Sequence, residues 1–235
     1  MSEKSLKQRI HEGEIIIGRG ASIMADPDEL RSILGEGGFD FISTDSQHSA
    51  FNEERLVTFC DVADEFDIPV QFRIKHTRHA YLIGNYLDLG PTGIEVPQVE
   101  LESTVDEAVD AFYYPQVGKR SWGGASRKVA PDQSGRLEYA QWWNENGVLW
   151  MQIESINAVT NARKIAKPGI DCLSFGPADL SFSIESYPNH FLQTVDDCAQ
   201  HVAAQLKDTG VAVCLRGVDP EDRDRYIDMG ITMFL

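Results

Sequence analysis

The stretch FDFISTDSQH, residues 39–48, is apolar for most of its length and then ends in Asp45 and His48. An imidazole with an ordinary pKa near ~6.5 can carry a proton at neutral pH, and a carboxylate three residues away can set its tautomer. Other short apolar runs close in the same manner. VQFR ends in Arg73, a fixed cation suited to an oxygen that gains charge. MQIE ends in Glu154, and FGPADLS carries Asp179. Two carboxylates supply hard oxygens, too few for a closed cage but suited to Mg²⁺ or Mn²⁺, with Co²⁺ a further candidate. Such an open Lewis-acid site would take a bidentate 2-oxo acid such as pyruvate and stabilise the enolate left by proton loss or C–C cleavage. The turn Gly176-Pro177-Ala178, opening a helical segment, can offer backbone N–H groups to a carboxylate. Each of these residues alone has a plainer reading, as a helix cap or a surface ion pair. Their shared position after a run of strand character carries the argument.

The elements that must position them are legible as a repeated switch of period. Apolar runs begin at Glu14, Phe39, Ile68, Thr92, Val148, Ile170, Val211 and Ile231, which counts eight strands. Helical patterns separate them. Asp26 followed by Pro27 and Glu29 predicts a capped helix start, and Thr104 with Glu107 predicts a capping box. Leu56, Phe59, Cys60 and Ala63 fall at i, i+3, i+4 and i+7 after Asn52, and Val195, Cys198, Ala199 and Val202 repeat that stripe. Strict alternation predicts an α/β fold, a (β/α)₈ TIM barrel over residues 1–235 as one domain, with a doubly wound open sheet as the alternative. In a barrel, function gathers where the strands end, which is where the polar residues above fall. The chain stops at Leu235 with no eighth helix, so the last strand is expected to leave an apolar outer wall bare. Residues 113–136 form the one long irregular stretch, rich in Gly, Ser and basic residues.

Composition excludes several classes. A net charge of −16 argues against nucleic acid or an anionic membrane as partner, so an anionic ligand must be held by local positive charge. No apolar run reaches the ~18 to 20 residues that span a bilayer, and the first residues lack the apolar core of a signal peptide, which predicts a soluble, cytoplasmic protein. Cys60, Cys172, Cys198 and Cys214 sit singly in apolar segments and read as reduced core thiols.

Taken together, FDFISTDSQH, the Arg closing VQFRI, YLDLGPTGIEVPQV, YYPQVGKRSWGGASR, MQIES and FGPADLS resemble, in order and spacing, the HpcH/HpaI aldolases, metal-dependent pyruvate aldolases. The resemblance runs from about Gly18 to Leu235. It implies that Glu154 and Asp179 are metal ligands, Arg73 the enolate-stabilising arginine, and His48 with Asp45 the acid–base dyad. It also implies that Gly176, Pro177 and Ala178, with Gln152, meet the 2-oxo acid, and that Asp88 lies near a neighbouring subunit's site. A homo-oligomer, by resemblance a hexamer that exchanges its last helix, is implied as well.

The sequence departs from the family pattern at Ser49, at Ile74 and Lys75 after Arg73, at Pro91 and at Ser121. These changes fall on the rim of the expected pocket and bear on the aldehyde acceptor. Arg120 and Arg127 are candidates to reach an anionic acceptor, or else solvated loop charges. His76 and His79 read as a polar loop opening a helix, Lys75 as a rim residue, and GRGAS from Gly18 as a tight strand-end turn. Trp142 and Trp143 read as core or interface aromatics. The expected activity is therefore a divalent-metal aldolase that cleaves or forms a C–C bond between pyruvate and an aldehyde, its substrate a 4-hydroxy-2-oxo acid. A 2-oxo acid decarboxylase of oxaloacetate type and a catalytically silent barrel are the alternatives.

Overall fold

The structure, a computed structural model, describes residues 4–123 and 135–235. Eight parallel strands close into a barrel in sequence order: β1 (Ile16–Gly20), β2 (Phe41–Asp45), β3 (Val70–Arg73), β4 (Gly93–Val96), β5 (Val148–Ile153), β6 (Cys172–Phe175), β7 (Ala212–Leu215) and β8 (Met233–Phe234). β8 returns to β1 through Met233 opposite Ile16, which closes the ring. All eight apolar runs thus become strands, because parallel strands buried on both faces need continuous apolar sequence. The (β/α)₈ expectation holds.

Around the ring lie α1 (Leu6–His11), α2 (Pro27–Glu36), α3 (Glu53–Asp64), α4 (Ile83–Leu87), α5 (Glu102–Phe112) and α6 (Arg136–Asn146). They are followed by α7 (Ile156–Thr160), α8 (Ala162–Ile165), α9 (Pro177–Ser186), α10 (Val195–Leu206) and α11 (Arg223–Ile227). Asp26 caps α2 by accepting from Asp28 and Glu29, Asn52 caps α3, and Thr194 with Asp197 forms a capping box on α10. The box expected at Thr104 does not form: α5 opens at Glu102, with Thr104 already its third residue and hydrogen-bonded to Leu101 O. The chain turns into the helix sooner than the sequence signal placed it.

Two cores follow from the period of two along each strand. Ile42, Phe72, Ile94, Leu173 and Phe175 point outward into the layer beneath the helices. Ile16, Phe41, Val148, Trp150, Cys172, Cys214 and Met233 fill the barrel, and Ile10 of α1 packs with them. Phe41 meets Trp150 edge-on at 5.2 Å. Gly18 and Gly20 belong to β1 itself rather than to a strand-end turn; a Cβ on Gly18 would lie 2.2 Å from the Phe41 ring. All four cysteines are buried and outside any disulfide. The wall at β8 is not bare: Phe234 is buried, and the Arg223 guanidinium lies 5.5 Å from its ring centre. The segment between β7 and β8 covers that face. Among the described residues no helix is long and apolar enough to cross a membrane.

Candidate active site at the C-terminal mouth of the barrel

The same alternation that fills the lower barrel with apolar side chains delivers polar ones to its top. Asp45 and Arg73 are the last residues of β2 and β3, Gln152 lies near the end of β5, and Glu154 follows it directly. Asp45 Oδ1 accepts from Arg73 Nε at 2.7 Å, and Arg73 Nη1 donates to Gln152 Oε1 at 3.1 Å. Three strands are thereby tied across the mouth. Burial pushes the Asp45 carboxyl upward, but the guanidinium and the backbone N–H groups of Gln47 and His48 outweigh it and hold the group below the usual carboxylate range.

The bond to His48 is to its backbone N–H, at 3.2 Å from Asp45 Oδ2. Asp45 therefore fixes the turn after β2, with its carboxylate turned toward Arg73 rather than toward the imidazole as tautomer control would require. His48 itself is exposed on that turn.

Glu154 and Asp179 face one cleft of about 430 Å³, which Gln98, Glu100, Thr77 and Ser155 also line. Asp179 sits in the first turn of α9, where the helix dipole favours an anion. Glu154 is 7% exposed, and its Oε1 is buried with no hydrogen-bond partner among the described residues. Burial first, and then the nearby Asp179 charge, push its carboxyl up to about 7. The Gln98 N–H, which moderates that shift, comes from a residue held at φ 51°, a left-handed conformation that side chains rarely adopt. Gly176 follows the last residue of β6 as the N-cap of α9, which begins at Pro177, so the Gly176-Pro177-Ala178 turn runs between the two carboxylates.

A half-satisfied buried carboxylate beside a second one fits a cation of the hard, oxygen-seeking kind. Among the described residues no group of three or more His, Cys, Asp or Glu side chains is arranged to hold a metal, so the fit is that of an open two-carboxylate site. A larger hollow of about 620 Å³ lies at the opposite end of the barrel, beside His11, Lys207 and Asp228. It has no converging carboxylates, and volume alone does not mark the chemistry.

Two residues of the mouth escape the sequence reading. Glu95, in the middle of β4, is fully buried and accepts hydrogen bonds from Ser174 Oγ and Arg216 Nη2. Arg216 follows the last residue of β7 just as Arg73 closes β3, and the charged residue inside TGIEVP is the other signal that marks the pair.

The remaining candidates resolve differently. Arg120 is neither a ligand-reaching arm nor a solvated charge: its side chain is buried, pairs with Asp88 at 2.7 Å, and stacks over the rings of Tyr114 and Trp143. Arg127 lies outside the described residues. His76 caps a 3₁₀ turn by accepting from Arg78 N–H, and His79 meets Tyr86 Oη, in keeping with a polar loop opening a helix. Lys75 is exposed, Trp143 is buried, and Trp142 is half-buried.

A closed parallel barrel with a polar constellation over its C-terminal mouth is an enzyme architecture, and comparison with known proteins defines it further. The chain matches the HpcH/HpaI aldolase/citrate lyase family over residues 28–234 and belongs to it, as a carbon–carbon lyase that acts on small molecules. It is 26% identical over 231 residues to a hydroxypyruvate/pyruvate aldolase of Paraburkholderia phytofirmans, covering 96% of this chain and 87% of that one. It is 28% identical over 227 residues to a 2-keto-3-deoxy-L-rhamnonate aldolase of Escherichia coli, covering 95% and 83%. The crystal structure of an HpcH/HpaI aldolase from Desulfitobacterium hafniense superposes with a TM-score of 0.84 at 25% identity, over 99% of this chain and 90% of that one.

Proposed function

We propose that the protein is a divalent-cation-dependent aldolase that joins pyruvate, or a 2-oxo acid close to it, to an aldehyde, and cleaves the resulting 4-hydroxy-2-oxo acid in reverse. The observation that carries this reading is the pairing of Glu154 and Asp179 on one cleft with a buried, unpartnered Glu154 oxygen. Those two residues would hold Mg²⁺ or Mn²⁺, with Co²⁺ a further candidate, and the cation would supply Lewis acidity toward the 2-oxo carbonyl. The two similar aldolases are both named for 2-oxo acids.

The rest is the work of side chains. Arg73, held by Asp45 and Gln152, offers a fixed positive charge to the oxygen that gains charge as the C3 proton leaves. The first-turn N–H groups of α9, at Ala178 and Asp179, meet the carboxylate of the 2-oxo acid, and Gly176 lets the substrate approach. The C3 electron pair then bonds to the aldehyde carbon, the carbonyl π pair moves to the aldehyde oxygen, and that oxygen takes up a proton. His48, exposed beside the mouth, is the proton carrier; Asp45 serves it by fixing its backbone. Exposed Phe182, Tyr187 and Phe191 offer apolar surface for a homo-oligomer, hexameric by family pattern, with Asp88 close to a subunit boundary. Four buried thiols outside any disulfide fit a reducing compartment such as the cytoplasm.

The test is exchange of the pyruvate methyl protons in D₂O, followed by NMR on metal-stripped protein and again after Mn²⁺ or Mg²⁺ is restored. Exchange that needs the cation and is lost in Glu154→Gln supports the reading. Exchange that survives chelation, or none under either condition, overturns it.

A further inference from the structure

Two guanidiniums share the inner top layer of the barrel, and they are not equally committed. Arg73 gives Nε to Asp45 and Nη1 to Gln152. Arg216 gives only Nη2, to Glu95, while its Nε is buried with no partner among the described residues. A buried donor left unpaired is destabilising, a cost that a ligand oxygen would remove. The side chain is 21% exposed, so it is not sealed beneath the layer.

Stability alone does not account for the pair. A buried ion pair is commonly no more stabilising than apolar residues of the same volume. Directly below, this barrel fills the same interior positions with Trp150, Cys172 and Cys214. Glu95, fully buried and anchored by Ser174, reaches from β4 to β7 and holds the guanidinium across the mouth. The arrangement orients a charge. Arg216 lies close enough to Arg73 to lower its proton affinity, and Asp45 close enough to Arg216 to raise that of Arg216, which places Arg216 in the same electrostatic field as the candidate site.

Resting on the aldolase reading above, we propose that Arg216 recognises the acceptor, and that the acceptor is an aldehyde carrying a carboxylate whose oxygen takes the unpartnered Nε–H. The division of labour is spatial. The 2-oxo acid is held from β5 and β6 through Glu154 and the start of α9, whereas Arg216 approaches from β7. With four carboxylates at the mouth (Asp45, Glu95, Glu154 and Asp179) against two guanidiniums, an anionic acceptor needs a donor of its own.

The experiment compares glyoxylate with glycolaldehyde, nearly equal in size and differing in charge, as acceptors for pyruvate on protein with Mn²⁺ restored. The ratio of their kcat/KM values is read for the wild type, for Glu95→Gln/Arg216→Met and for Arg216→Lys. Changing both members of the pair avoids stranding a buried charge, and Arg216→Lys supplies the test should the double variant fail to fold. The wild type is expected to favour glyoxylate, the double variant to lose about tenfold or more of that ratio, and Arg216→Lys to lose part of it. No preference in the wild type, or a proportionate fall for both acceptors in the variants, overturns the assignment while leaving the aldolase reading intact. Absence of cation-dependent methyl-proton exchange in the wild type overturns the aldolase reading and this assignment with it.

Discussion

Gly176 has a φ of −98°, so backbone freedom is not why a glycine stands there. A Cβ at that position would lie 2.1 Å from Glu154 Oε2 and 3.0 Å from Gln152 Nε2. Gly176→Ala is expected to displace both side chains, lowering turnover by about 10²-fold, while the thermal melt of cation-free protein moves little because the contact is at the rim of the barrel. Titration of the variant with Mn²⁺ checks the cause, since weakened cation binding must accompany the loss. Arg73→Lys removes the planar fork that serves Asp45 and Gln152 together, and is expected to cost about 10²–10³ in kcat, read by pyruvate turnover. A loss of less than about threefold would remove Arg73 from the proposed chemistry. At this scale the sequence shows Asp45, Arg73, Glu154 and Asp179 because each interrupts an apolar run at or just past its end. Glu95 is harder to see: only the closed barrel brings β4 and β7 within reach of one ion pair, and no spacing along the chain records that distance. The Asp45–His48 spacing misleads in the opposite sense, because three residues allow either a ring contact or a backbone contact and the local turn selects the latter.

The elements are more legible than the side-chain contacts within them. Each strand announces itself by an apolar run, and α3 announces itself by a cap and a stripe, with Leu56, Phe59, Cys60 and Ala63 all buried as the spacing predicts. Thr104 fails because a capping box is a local preference of roughly 1 kcal/mol, and the path of the chain out of β4 outweighs it. Where the cap does form it has a measurable share. Asn52 accepts from Arg55 N–H at 2.9 Å at the start of α3, the helix that receives the chain from the His48 turn. Asn52→Ala is expected to cost about 1 kcal/mol, seen as a fall of about 2–4 °C in Tm for a chain of this size. An unchanged melt would mean that the burial of the α3 stripe alone fixes the start of the helix.

For the whole molecule, the paired carboxylates make stability depend on pH and on cations together. In cation-free protein the Glu154 carboxyl titrates at about 7, against an ordinary value of 4.5. Between those limits the folded chain keeps a proton that the unfolded chain has already released, so stability is fully present below about pH 4.5 and is lost as pH rises through 7. The loss is on the order of 3 kcal/mol. Asp45 acts with the opposite sign: its depressed carboxyl adds stability above the usual carboxylate range and loses it only in more acid solution, which separates the two effects. Denaturant melts of the cation-free wild type should therefore weaken from pH 4.5 to pH 7.5, and Glu154→Gln, which cannot ionise there, should flatten that part of the profile. Adding Mn²⁺ at about a hundredfold excess over its Kd should return about 2.7 kcal/mol at pH 7.5 and much less at pH 5, because the cation competes with the proton on Glu154. Parallel profiles for wild type and Glu154→Gln would mean that the Glu154 proton is not what the folded state holds. An Mn²⁺ effect equal at both pH values would place the cation away from Glu154.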